Sequence, residues 1–229
     1  MSTWTPTDRR AAIWSAIAVV FFGVAYIITG AIWFLTSTDS RAKQSLQPTE
    51  PFLAILEILI LLSTLALVVL FAAIHAYASP DRKTCSLAAF GFVILLVVLT
   101  GVVHFVQLTV VRRTMNPTVV ELLRLYSPDN RLSVMLAMDL LGWDLFFGFA
   151  MLFAAPVFIG GKVQTVIRVS LILSGLLCLV GVAGPASGDM RFQVPAILGY
   201  AFGLPFVSFL LARLFARKEP HAEYGECND

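Results

Sequence analysis

The sequence predicts an all-α fold, a single polytopic transmembrane bundle of six helices with both termini on the same side. Three observations predict it. Of 229 residues, 59% are hydrophobic and only 13% charged, whereas a soluble domain is about half apolar and a quarter charged. The apolar residues collect in six runs, at about 11–36, 51–78, 87–111, 133–159, 165–183 and 193–215, each near the length of about 20 residues that crosses a bilayer. Between the runs stand turn-forming and charged residues, and no run contains a turn cluster long enough to split it.

The first run follows Arg9 and Arg10. It is longer than the roughly 7–15 apolar residues of a signal-peptide core, so it is expected to stay as a spanning helix. Gly23, Tyr26, Gly30 and Trp33 share one of its faces. The second run opens at Pro51, carries Glu57 and His75, and ends at Ser79-Pro80-Asp81-Arg82-Lys83. The third places Thr100, Gly101, His104 and Gln107 on one face. The connection over 112–132 is more than a turn. Asn116-Pro117 reads as an N-cap followed by proline at the first helical position. The apolar stretch over 119–126 then suggests either a short interfacial helix or a loop covering the bundle end. Ser127-Pro128-Asp129-Asn130 is expected to end it and to cap the fourth span.

The fourth run holds Asp139, Trp143 and Asp144. Gly160-Gly161-Lys162 leads to the fifth, whose Ser170, Ser174 and Cys178 form a stripe of small residues suited to close helix packing. The sixth carries Gly199-Tyr200-Ala201-Phe202-Gly203, a GxxxG spacing, and then Pro205, which removes a backbone donor and should kink the helix. Residues 216–229 read as a short polar tail.

Lysine and arginine set the expected orientation. Arg9, Arg10, Arg82, Lys83, Lys162, Arg168, Arg213, Arg217 and Lys218 fall on one side. Arg41, Lys43, Arg112, Arg113, Arg124, Arg131 and Arg191 fall on the other. The excess favours cytoplasmic termini in a multi-pass protein of the cell membrane. Cys85, Cys178 and Cys227 are far apart, with no CxxC or CxxH spacing, and read as free thiols. A net charge of +2 without a basic tail gives no footprint for nucleic acid.

Glu57, His75, His104, Asp139 and Asp144 sit inside apolar runs. A charge at membrane depth costs at least about 2.5–3.5 kcal/mol on insertion scales, so each calls for a partner or a purpose. At about 1.5 Å of rise per residue, Glu57, His104, Asp139, Asp144, Tyr26 and Tyr200 all fall roughly 9–16 Å from the same surface. They form one layer, with His75 near the opposite surface. Gln107 and Trp143 border that layer. A carboxylate beside an imidazole can exchange protons. One imidazole without HxxxH or ExxH spacing argues against a metal, and no GxSxG or HExxH element points to nucleophilic catalysis. No cofactor motif is present. Each polar residue also has a bland reading. The acids could be protonated hydrogen-bonding groups, and His104 a core histidine bonded to Tyr26 or Gln107.

Ala54-Ile55-Leu56-Glu57, the short basic connection after that helix, and the run from Leu145-Phe146-Phe147-Gly148 to Gly160-Gly161, continued over 170–181, are similar to an uncharacterised family of bacterial six-helix membrane proteins, known as a domain of unknown function. The resemblance covers about two-thirds of the chain. It departs from the family at His104, where the family's third helix is charged. It implies a six-helix bundle and no particular activity.

Four functional readings remain in play. The first is an intramembrane cavity that binds or senses a small lipophilic molecule or lipid, with Glu57, His104 and Asp139 at its polar end. The second is a membrane-embedded enzyme using those residues for acid–base chemistry on a lipophilic substrate. The third is a proton-coupled transporter built on Asp144 and the Pro205 kink. The fourth is an assembly partner with no site. Transport predicts polar residues at several depths, and the other half of the bundle is nearly all apolar. The lipid bilayer is the one partner that the composition itself implies, and nothing in the sequence specifies an oligomeric state.

Overall fold

The computed structural model describes residues 4–36, 51–114, 116–125 and 132–217. These form seven helices, six of them long and apolar enough to cross a membrane. The chain is an all-α bundle and reads as a multi-pass membrane protein. Apolar side chains such as Phe21, Leu65, Val98, Phe105 and Phe202 point outward and are more than half exposed. Lipid is the solvent for which such an exterior is suited.

Helix α1 covers Pro6–Thr36. It starts ahead of the apolar run because Thr5 and Asp8 cap each other. The Asp8 amide donates to Thr5 Oγ1 at 3.1 Å, and the Thr5 amide to Asp8 Oδ2 at 2.9 Å. Helix α2 covers Pro51–Tyr77. A turn at Pro80–Arg82 leads into α3, Lys83–Val106, which continues through a wide π-helical turn at Gln107–Val111. The short α4 is Pro117–Leu123, and Asn116 Oδ1 accepts from the amides of Thr118 at 3.0 Å and Val119 at 3.4 Å.

Helix α5 runs from Val134–Leu140 through a second π-helical turn at Leu141–Phe146 into Phe147–Ala154. Its cap is Ser133, whose hydroxyl accepts from the Leu136 amide at 3.0 Å. This corrects the expectation that Ser127-Pro128-Asp129-Asn130 would cap it, residues that lie outside those described. The connection over 37–50 and the tail beyond Arg217 lie outside as well. Helix α6 is Lys162–Gly181 and begins at its polar first turn, which an apolar window passes over. Helix α7 runs from Gln193–Ile197 through a third π-helical turn, Leu198–Gly203, into Leu204–Ala216. Pro205, which cannot donate to the helix behind it, follows directly on that wide turn.

The long helices pack in the closed order α1–α2–α3–α5–α6–α7, with α7 returning to α1. Two sequence features meet at one joint of this ring. The GxxxG glycines of α7 lie against the small stripe of α6. A methyl group on Gly199 would stand 2.9 Å from Cys178 Sγ and from the Ser174 carbonyl oxygen, and one on Gly203 would overlap the Ser174 hydroxyl. Close backbone approach of this kind is how membrane helices gain packing energy without a hydrophobic driving force.

One end of the ring is sealed by aromatics. Trp4 stands over Tyr77 and Phe215 with ring centroids 5.4 and 5.5 Å away, and Tyr77 stacks on Phe158 at 6.1 Å. There Arg9 caps α7, donating from Nε to the Phe215 carbonyl at 2.7 Å and from Nη2 to the Ala216 carbonyl at 2.6 Å. The polar layer lies towards the opposite end.

Candidate functional site

His104 is the centre of the layer. It is 2% exposed and is held between two carboxylates from neighbouring helices. Its Nδ1 bonds Glu57 Oε2 of α2, and its Nε2 lies 3.4 Å from Asp139 Oδ1 of α5. Glu57 is 4% exposed and sits behind the ring. Neither His104 Nε2 nor Asp139 Oδ1 has a hydrogen-bond partner among the described residues. At 3.4 Å the Nε2 contact with Asp139 is an ion-pair distance and not a formed hydrogen bond.

A cavity of about 190 Å³ is lined by both His104 and Asp139. Its walls come from α1, α2, α3, α5 and α7. His104 and Asp139 supply its polar end, together with Ser63. Tyr26, Trp143 and Tyr200 supply aromatic walls, and the Trp143 and Tyr200 ring centroids are 5.4 Å apart. Pro205 and Gly23 close the wall between α1 and α7, where a methyl group on Gly23 would stand 2.9 Å from Pro205 Cγ. Leu125 covers the cavity from the segment after α4. The volume exceeds the roughly 150 Å³ of an engineered apolar cavity that holds benzene. It falls short of the about 300–1,000 Å³ of drug-sized pockets. One ring or a short chain matches that volume.

The structure therefore brings together Tyr26, His104, Asp139, Trp143 and Tyr200 around one space, with Glu57 in direct support. Gln107 is not part of that wall. Its Nε2 donates to the Leu123 carbonyl at 2.7 Å, and its Oε1 accepts from the Leu125 amide at 3.2 Å. It pins the segment that covers the cavity, and the partner of His104 is Glu57 rather than Gln107. Asp144 is also elsewhere. It is 1% exposed, and its Oδ2 accepts from Gln193 Nε2 at 2.7 Å. The same nitrogen donates to the Gly181 carbonyl at 2.8 Å, joining α5, α6 and α7. A methyl group on Gly181 would stand 2.5 Å from Ala196 Cβ and 2.7 Å from Asp144 Cγ, so the carboxyl is packed in protein. His75 bonds Ser86 Oγ at 2.8 Å, far from the layer.

Sequence reasoning missed Ser63 and Gln193. Ser63 carries no signal, being one small hydroxyl in an apolar helix. Gln193 had one: it is the first residue of a span whose neighbours are apolar, but a polar residue at a helix start is ordinary.

Chemically, Glu57–His104–Asp139 is a carboxylate–imidazole–carboxylate chain. With a proton on each imidazole nitrogen and both carboxyls ionised, the three groups would carry one net negative charge. Glu57 fixes the orientation of the ring, as a carboxylate does for a working histidine. Glu57 and Asp139 address opposite ring nitrogens and so cannot converge with the imidazole on one metal ion. No lysine or arginine lines the cavity among the described residues. Compared with protein-family models, with curated proteins and with solved structures, the chain matches none.

Proposed function

We propose that this protein binds a small lipophilic molecule within the membrane, in the cavity whose polar end is His104 and Asp139. One observation carries the reading: His104 and Asp139, each with a buried polar atom that has no partner among the described residues, line an otherwise apolar and aromatic space. Leaving such atoms unpaired costs about 1–3 kcal/mol each, and a ligand with one polar group would recover that. Few convergent polar groups in an apolar cavity are the usual makeup of a ligand site.

The test is thermal unfolding of the purified protein in detergent, with benzyl alcohol as probe. Wild type should gain stability with increasing probe, about 2.7 kcal/mol at a hundredfold excess over Kd. Ala201→Phe, which places a ring in the cavity from a half-exposed position, should fold and show no gain. Equal responses from both proteins would sink the reading.

A second reading, acid–base catalysis on a lipophilic substrate, draws on Glu57 orienting His104 towards the same space. It predicts turnover of a bound compound, lost in Glu57→Gln with binding retained. For placement, we propose the cell membrane with both termini cytoplasmic, supported by the Arg and Lys bias and by an even number of spans. Cys85 is half-buried beside the turn at Pro80–Arg82. It would then escape an impermeant maleimide applied to intact cells, whereas a cysteine placed at Arg113 would react.

A further inference from the structure

We infer that the cavity takes an organic ammonium ion, a protonated lipophilic amine, in exchange for one proton from the His104 cluster. This rests on the proposed binding function and names its ligand class. Three observations carry it. The acids outnumber the bases: Asp139 lines the cavity and Glu57 stands behind His104, with no lysine or arginine in the wall among the described residues. The remaining walls include Tyr26, Trp143 and Tyr200, faces that attract cations and repel anions. The two unpartnered atoms, His104 Nε2 and Asp139 Oδ1, lie 3.4 Å apart. One nitrogen can therefore reach both.

Hydrogen bonding and charge together select among head groups. A carboxylate offers only acceptors and meets Asp139. A hydroxyl donates to Asp139 Oδ1 and accepts from a protonated Nε2, but brings no positive charge to the acidic, aromatic wall. An ammonium has several protons, and donates to Asp139 Oδ1 and to the lone pair of a neutral His104 Nε2 together. For that lone pair to be free, the proton on Nε2 must leave for solvent, while Nδ1–H stays on Glu57. Before binding the cluster is Glu⁻, HisH⁺, Asp⁻; afterwards it is Glu⁻, neutral His, Asp⁻ and the ammonium. Both carry one negative charge. The exchange keeps the buried charge constant, which matters because any change in it is costly at this depth. The other titratable groups facing the imidazole are the phenols of Tyr26 on α1 and Tyr200 on α7, which take no part in this count. Asp144, beyond Trp143, is occupied by Gln193.

Three probes of nearly one shape separate the outcomes: benzylamine, benzyl alcohol and benzoate. Calorimetric titration at neutral pH, in two buffers of different ionisation enthalpy, gives affinity and protons released. Benzylamine should bind about tenfold tighter than benzyl alcohol or better, release about one proton, and tighten as pH rises towards the amine's own titration. Benzoate should not bind. Asp139→Asn should lose most of the amine affinity, and with it the preference for amine over alcohol. Equal affinity for amine and alcohol, or no proton release, overturns the ammonium inference and leaves the cavity reading standing. Amine binding that persists in Ala201→Phe is partition into detergent and overturns both, as does absence of binding by any probe.

Discussion

Asp139 and Asp144 sit on the same helix, five residues apart, and meet opposite fates. Asp144 is packed on all sides, holds a glutamine from α7, and has the backbone of α6 pressed against it. Asp139 lines the cavity, and its Oδ1, 3.4 Å from His104 Nε2, has no hydrogen-bond partner among the described residues. The first arrangement joins three helices. Each acid keeps one carboxylate oxygen without a partner among the described residues, Asp144 Oδ1 in a packed joint and Asp139 Oδ1 on a residue that lines the cavity. A buried acid is thus not a site by virtue of being buried; what distinguishes the two is whether the carboxyl looks at protein or at a cavity.

The largest effect expected from breaking this contrast is at His104. His104→Ala strands Glu57 in the bundle without its partner and should cost about 3–5 kcal/mol in detergent unfolding. Changing all three groups together, Glu57→Gln/His104→Ala/Asp139→Asn, should cost clearly less than His104→Ala alone, because no charge is left behind. If the triple variant is the worse of the two, the cluster is a satisfied structural network and the site reading loses its ground.

Next comes the packed acid. Gly181→Ala forces a methyl group into Ala196 and Asp144 and should lose about 1–3 kcal/mol. Gly30→Ala is its control: nothing lies within 4 Å of the added carbon, so the change should be neutral or stabilising by up to about 1 kcal/mol. Gln193→Ala removes the donor to Asp144 Oδ2 and to the Gly181 carbonyl, and should cost about 1–3 kcal/mol in the same assay. The smallest effect belongs to Asp139→Asn. Its Oδ1 has no partner to lose, so stability should move by less than about 1 kcal/mol while ligand preference changes. A loss as large as that of Gln193→Ala would erase the distinction between the two acids.

Parts of this were legible in the sequence for a physical reason. In an apolar run a single Glu, His or Asp stands out, and a fixed rise per residue gives its depth, so Glu57, His104 and Asp139 could be assigned to one layer. Length and composition likewise gave six spans. The partners were not legible. Helical geometry puts Asp139 and Asp144 at a fixed angle, but a π-helical turn starts at Leu141 and takes in Asp144, and no residue there announces it. Tyr200 lies within a similar turn. Gln107 shares a face with His104 on paper, yet it turns to the backbone of Leu123 and Leu125, because a segment that crosses the bundle end needs its own hydrogen bonds met.

The clamp from Arg9 to the last carbonyls of α7 has a bearing on biogenesis. A chain made from its amino end delivers α1 first and α7 last, and these are the two helices joined by that clamp. Until α7 arrives, α1 has only α2 to lean on, and the wall formed by Tyr200, Ala201, Leu204 and Pro205 does not exist. Without α7 the bundle is an open arc whose cavity lacks one wall. Docking of α7 against α1 and α6 closes the ring and completes that wall in one step, so the cavity exists only once the clamp from Arg9 can form.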